Sequence, residues 1–322
     1  MLARIAYQLY WIGRYVARAE HTARLLDGIF QASLQARTPG RRQALSWESV
    51  MAIMGSEHMT GPISSADAVR SLTLDPESPA SVTACIKRAR QGTRTVRDVV
   101  SAEMWEALNT LYLELNSSDL GSVLKTGPYS VYSFVRERCV LWWGLADETM
   151  LRDSAHAFLS TGRYAESAEM IVRMLRVALS PLSGDSDPSV SNERALAILQ
   201  AVGGLEAFRR AETSLVETGS VAEFLIYAEN YPHSVTASLK ALHDALEEAG
   251  RGADAGPAAP KLRLARLRAE LEFSRAGGGS ETDEESLVSL LQQIQRELVV
   301  FDREVESHFF VGERDEQQVL GQ

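Results

Sequence analysis

The sequence predicts an all-α protein, an internally duplicated helical bundle whose two repeats of about 150 residues are related by a pseudo-twofold axis. Three observations predict it. Ala, Leu, Arg and Glu abound while aromatic residues make up 7% of the 322, which favours helix over sheet. Apolar residues advance by three or four through most of the chain, and no segment alternates as a strand does. Third, residues 13–26 (GRYVARAEHTARLL) and 162–175 (GRYAESAEMIVRML) share the frame G-R-Y-x-x-x-A-E-x-x-x-R-x-L without a gap, at an offset of 149.

Two further matches follow in the same order. PASVTACIK at 79–87 answers PHSVTASLK at 232–240, and Ile53-Met54-Gly55 lies opposite Ala201-Val202-Gly203. Two long copies do not make a solenoid, which stacks three or more short ones. The expected division is 1–150 for the first helical repeat and 151–311 for the second. Flexible insertions are expected near 251–260 and 276–285, and a polar tail at 312–322.

Along the chain, Leu2, Ile5, Leu9, Gly13, Val16, Glu20 and Ala23 mark one face of a first helix. After expected loops at 37–42 and 75–79, Pro79 to Val82 reads as a helix start with proline in its first turn. Cys85, Ile86, Ala89, Val96 and Val99 continue its apolar stripe. Ser101 suits an N-cap, with Glu103 in the first turn of a helix carrying Met104, Trp105, Leu108, Leu111, Tyr112 and Leu115. A loop is expected over 116–128, then a helix from about 129 to 149. The plan repeats from Asp153, with loops at 181–192 and 251–260.

Composition also excludes. A net charge of -10 argues against a broad nucleic-acid surface. The longest apolar run, Val140 to Ala146, is far short of the ~20 residues a membrane helix needs. Two cysteines, Cys85 and Cys139, outside any CxxC or Cys/His cluster, read as reduced core residues of a cytoplasmic protein. The N-terminus lacks the order of a secretory signal, because Glu20 falls where the apolar segment should continue. Charge is segregated. Residues 1–150 hold 16 basic and 15 acidic side chains, residues 151–322 hold 17 and 28, and 281–322 alone hold 3 and 11.

The informative carboxylates are Glu20 and Glu169. Each stands where the helical pattern asks for an apolar side chain, with Arg24 and Arg173 four residues on and Gly13 and Gly162 on the same face. They read either as two Glu/Arg stations lining a shared pocket, or as buried ion pairs that fix helix packing. Arg14, Arg18 and His21 share another face, either an anion grip or an interhelical surface. Lys87, Arg90, Arg94 and Arg97 form a basic stripe, to which Arg88 adds a fifth cation. It suits a phosphate or an acidic partner, or else is a solvated face. No cofactor is implied and no metal ligand set stands out. The chain lacks paired Glu-x-x-His, HExxH and a phosphate loop, and the lone Asp153-x-x-His156 is not repeated.

The opening MLARIAYQLYWIGRYVARAEHTARLL resembles the bacterial alpha-E family, a domain without assigned activity whose members carry Leu-Tyr-Trp-x-Gly-Arg-Tyr, then Glu-Arg-Ala-Glu and Ala-Arg-Leu-Leu. SPASVTACIKRAR, EMWEALNTLYLEL, FLSTGRYAESAE and EFLIYAENYPHSV extend the likeness across most of 1–245. Against the family pattern, Ala17 and Gln91 replace glutamate, Ser167 replaces arginine and His156 replaces a common tryptophan. The resemblance implies a gene neighbourhood with a circularly permuted ATP-grasp protein and often a transglutaminase-like peptidase. It therefore implies an accessory role beside an ATP-grasp amide ligase. The alternative is an enzyme acting on a peptide or amino-acid amide through Glu20 and Glu169. Matched positions are Arg14, Glu20, Arg24, Arg94, Arg97, Arg163, Glu169 and Arg173, and Arg90 joins them as a binding candidate from the stripe. Independent catalysis is not expected, and self-association is compatible with the sequence.

Overall fold

Caps and apolar stripes set the helices. In the computed structural model, residues 2–35, 45–55, 63–117, 120–179, 188–212, 215–251, 259–277 and 284–310 are described. Among them are fourteen α-helices, a closing π-turn and no strand. The first seven helices are α1 (Ala3–Gln35), α2 (Trp47–Ile53), α3 (Ser65–Thr73), α4 (Val82–Thr95), α5 (Ala102–Leu115), α6 (Leu120–Thr126) and α7 (Pro128–Thr149). Seven more follow: α8 (Ser154–Leu179), α9 (Pro188–Ala201), α10 (Leu205–Ala211), α11 (Thr218–Tyr227), α12 (Val235–Ala249), α13 (Ala259–Gly277) and α14 (Glu284–Val305). The π-turn is Glu306–Phe310.

Local chemistry explains the boundaries. Ser81 and Ser234 cap α4 and α12, their hydroxyls accepting from the backbone N–H groups of Ala84 and Ala237. Ser101 caps α5 as its sequence suggests. Gly55 and Gly203, just past α2 and α9, take φ of +70° and +69°, a left-handed turn that glycine adopts without strain. Two expectations are corrected. The α4 start is Ser81 with Pro79 outside the helix, because a serine hydroxyl satisfies the free N–H groups that proline cannot use. The 116–128 loop contains α6, and α7 begins at Pro128, whose missing N–H costs nothing in a first turn. Most of the other expected loops and the polar tail lie outside the described residues: 36–44, 180–187, 252–258, 278–283 and 311–322.

Two long helices organise the packing. α1 lies against α8. α4 and α7 flank α1, and α5 packs on both; α12 and α14 flank α8, and α13 packs on both. Shorter helices cross over, α2 resting on α8 and α9 on α1. Phe309 and Phe310 of the π-turn meet Phe158 of α8, and Phe310 also meets Tyr7 and Tyr10 of α1. Cys85 and Cys139 are free and buried, and burial pushes the Cys85 thiol up to about 12. Among the described residues no helix is long and apolar enough to cross a membrane.

Candidate functional site

Glycine brings the two central helices together. A Cβ on Gly13 would be driven into the carbonyl oxygen of Leu159 and sit 3.0 Å from Arg163 N. Gly162 answers: its Cβ would be driven into the carbonyl oxygen of Tyr10 and sit 3.1 Å from Arg14 N. Backbone thus touches backbone, and the charged side chains that follow each glycine are pressed between helices rather than released to water.

On one flank the charges form a closed network. Arg18 grips Glu166 with both arms of its guanidinium, Nε to Oε1 at 2.6 Å and Nη2 to Oε2 at 2.8 Å. Such a bidentate fork is the strong form of an ion pair. Arg14 adds Nε at 3.0 Å from Glu166 Oε2, and its Nη2 donates to Glu169 Oε2 at 3.0 Å and Asp302 Oδ2 at 2.9 Å. Arg173 donates to the same oxygen of Glu169 at 3.2 Å. Tyr10 completes the set, its hydroxyl donating to Asp302 Oδ1 at 2.5 Å. Glu166 is wholly buried and Arg14 only 3% exposed. Burial pushes the Glu166 carboxyl up, but Arg18 and Arg14 outweigh it and bring the pKa down to about 2. Asp302 moves the other way: burial raises it, with Arg14 only partly opposing.

The other flank is built differently. Arg24 donates through Nε and Nη2 to Glu20 Oε1 at 3.0 and 2.8 Å. Burial raises the Glu20 carboxyl, yet its charged neighbours, His21 and Arg24 foremost, leave it lowered. His21 Nε2 lies 3.0 Å from Ser167 Oγ, whose own proton goes to the carbonyl of Arg163, so the imidazole N–H is the donor. The His21 ring meets His233 edge-on at 5.9 Å, and His233 meets Tyr231. Burial lowers both histidines, His233 to about 3. Arg163 stacks on Trp143 with its Cζ 4.4 Å from the ring centroid. Its Nη1 is 3.9 Å from Asp147, which His156 also approaches at 3.1 Å.

Glu20 and Glu169 are each tied to the arginine four residues on, and among the described residues they have no hydrogen-bond or ion-pair partner in common. Neither lines the groove of about 590 Å³ between α8 and α14, nor the one of about 270 Å³ between α11 and α13. Glu20, held by Arg24 and lying below the usual carboxylate range, is a poor proton acceptor. Arg14 and Arg18 of α1 thus tie the crossing to Glu166 and Glu169 of α8. Sequence reasoning missed Glu166, Asp302 and Tyr10. Glu166 had a signal: Arg18 and Glu166 lie one position apart in the shared frame. Asp302 had none, standing 288 residues from Arg14.

The basic stripe sits apart from this crossing, on α4 and just past its end. Arg97 stacks on Trp105 at 4.1 Å, and Arg90 lies over Trp105 at 5.3 Å and Tyr112 at 4.6 Å while donating to Asn109. Arg94 and Lys87 are exposed. Asp153, half of the lone Asp-x-x-His, accepts from the backbone N–H groups of Ala155 and His156 and so caps α8. Among the described residues no group of three or more His, Cys, Asp or Glu is placed to hold a metal ion.

Residues 1–310 match the Alpha-E family, described as a predicted alpha-helical domain with a conserved ER motif. The chain belongs to the Alpha-E family. An uncharacterized protein of Mycobacterium bovis is 25% identical over 268 residues, covering 76% of this chain and 30% of that protein. Two uncharacterized proteins of Mycobacterium tuberculosis match over the same length at 25% and 24% identity. This Alpha-E chain thus spans about a third of the length of the curated relatives it matches. No solved structure matches it significantly.

In the frame shared by 13–26 and 162–175, Ala17-Arg18 stands opposite Glu166-Ser167. Of these four residues, Arg18 and Glu166 are the ones that meet.

Proposed function

We propose that this chain is an accessory, non-catalytic component of a bacterial peptide- or amide-bond-forming system, working in the cytoplasm with an ATP-grasp amide ligase. The observation that carries the reading is the state of the carboxylates. Glu20, Glu166 and Glu169 are buried, each paired to arginine, while Lys87 and Arg94 of α4 are exposed and form no ion pair among the described residues. The relatives favour the same reading, since most of their length lies beyond the shared region, so that this domain is joined there to other chain.

We further propose that the chain is a duplication, 1–150 and 151–311, with a pseudo-twofold axis along the α1–α8 contact. Reciprocal features support it: Gly13 against Leu159 with Gly162 against Tyr10, and Gly55 nearest Arg173 with Gly203 nearest Arg24. The serine caps of α4 and α12 correspond as well.

Affinity purification of the tagged protein at low salt tests the partnership. A stoichiometric ATP-grasp protein in the eluate, whose ATP turnover changes when this chain is added, is the expected result. A chain that elutes alone, or only with copies of itself, and leaves turnover unchanged would sink the reading. Glu20→Gln would then be screened for lost amidase activity.

A further inference from the structure

Five cations lie between 87 and 97, and among the described residues none forms an ion pair with a carboxylate. That is unusual in a chain with ten more acidic than basic side chains, where most buried or half-buried arginines of the helix crossing have counterions. α4 itself carries no acidic residue to relieve the repulsion along its length.

The cations are not loose. Arg90 and Arg97 both stack on the Trp105 indole, Arg90 also covers Tyr112 and is oriented by Asn109 Oδ1 at 2.8 Å, and Arg88 lies over Tyr15 at 5.8 Å. Stacking holds a guanidinium by its face and leaves its in-plane N–H donors free. Lys87 and Arg94, seven residues apart on one helix face, add two exposed charges beside this stacked pair. Ordered, unneutralised donors next to half-buried aromatic rings have the composition of an interface core awaiting its counter-charges.

We propose that the α4–α5 face is a docking surface for an acidic peptide segment of a partner protein, with carboxylates seated on Arg90 and Arg97 and flanked by Lys87 and Arg94. Charge complementarity selects this occupant, and a carboxylate takes the free edge of a stacked guanidinium in a bidentate fork. The proposal rests on the reading of the chain as an interaction component and says where that interaction occurs.

The test uses the full chain and a capped, fluorescein-labelled hexaglutamate peptide, read by anisotropy. Binding is expected to weaken steeply between 50 and 300 mM salt. Lys87→Glu/Arg94→Glu should lower affinity at least tenfold with an unchanged circular dichroism melt, since both side chains are exposed. Arg209→Glu, a distant surface charge already paired with Glu206, should not. Absence of hexaglutamate binding overturns the proposal, as does an equal loss in both variants. Binding of inorganic pyrophosphate that Lys87→Glu/Arg94→Glu removes, without hexaglutamate binding, also overturns it in favour of a phosphate site. Self-association by light scattering that the same double variant abolishes would make the occupant a second copy, and overturn the partner form. Parallel capture of the ATP-grasp protein separates the two claims. Equal capture by wild type and double variant removes the surface and leaves the accessory role, whereas no capture by wild type removes the role itself.

Discussion

Arg18 and Glu166 hold each other in a bidentate fork across the α1–α8 crossing, Nε to Oε1 at 2.6 Å and Nη2 to Oε2 at 2.8 Å. Glu166 is fully buried and Arg18 half-buried, so removing either strands a charge in or beside the core. Glu166→Gln should cost about 3–5 kcal/mol in urea unfolding. Glu166→Met with Arg18→Met should cost far less than the sum of the single changes. Additivity within 0.5 kcal/mol, roughly the margin for independent sites, would mean the fork contributes nothing as a pair.

Ala17 and Ser167 give a second prediction. Ala17→Glu alone should destabilise, because it buries an unpaired carboxylate. Adding Ser167→Arg should recover at least about 1 kcal/mol of that loss if the two flanks are related by a twofold axis. Ser167→Arg that only deepens the loss would count against the axis.

Glycine at the crossing is a steric requirement. Gly13→Ala and Gly162→Ala should each lower stability by about 3 kcal/mol, the upper range of overpacking, since the added methyl meets a fixed carbonyl oxygen. Gly144→Ala in α7, where a Cβ meets nothing within 4 Å, should instead be neutral or stabilising by up to about 1 kcal/mol. Thermal melts of the three variants decide it.

Glu169→Gln should cost more stability than Glu20→Gln. Glu169 accepts from both Arg14 and Arg173, whereas Arg24 is the arginine that donates to Glu20. Under the proposed accessory role, neither change should alter the ATP turnover of an ATP-grasp partner per mole of folded protein. A Glu20→Gln protein that folds normally and yet abolishes turnover would put the carboxylate back into catalysis.

Stability should fall on acidification in two steps. His21 and His233 sit below the ordinary 6.5, His233 at about 3, chiefly through burial. The unfolded chain therefore binds protons that the folded one refuses, and stability declines as pH drops below 6.5. Glu166, held at about 2 against an ordinary 4.5, adds a second loss that begins only as pH falls through 4.5. His233→Gln should flatten the first step and leave the second, as urea midpoints from pH 7 to 3.5 would report.

The helices were legible because their caps and stripes are local: Ser101 with Glu103, or the face running from Leu2 to Ala23. Burial of Glu20 and Glu169 was legible too, since a carboxylate on an apolar face with arginine one turn on has few other solutions. Which charges meet was not. Periodicity places Arg14 and Arg18 on a face but says nothing of the helix that covers it, and α8 and α14 supply that cover from 155 and 288 residues away. The aromatic support of Arg90 and Arg97 was hidden for the same reason: Trp105 and Tyr112 read as core until α5 is laid beside α4.

The contact between Arg14 and Asp302 has a consequence for how the chain is made. At the usual ~5–20 residues per second of synthesis, 288 residues separate these partners by about 15 to 60 s on the ribosome. For that interval the arginine at the helix crossing lacks one of its three counter-charges, and Glu166 and Glu169 emerge only halfway through it. α1 thus waits for α14 to complete its charges, so the nascent chain must carry an incompletely paired arginine at the crossing until α14 arrives.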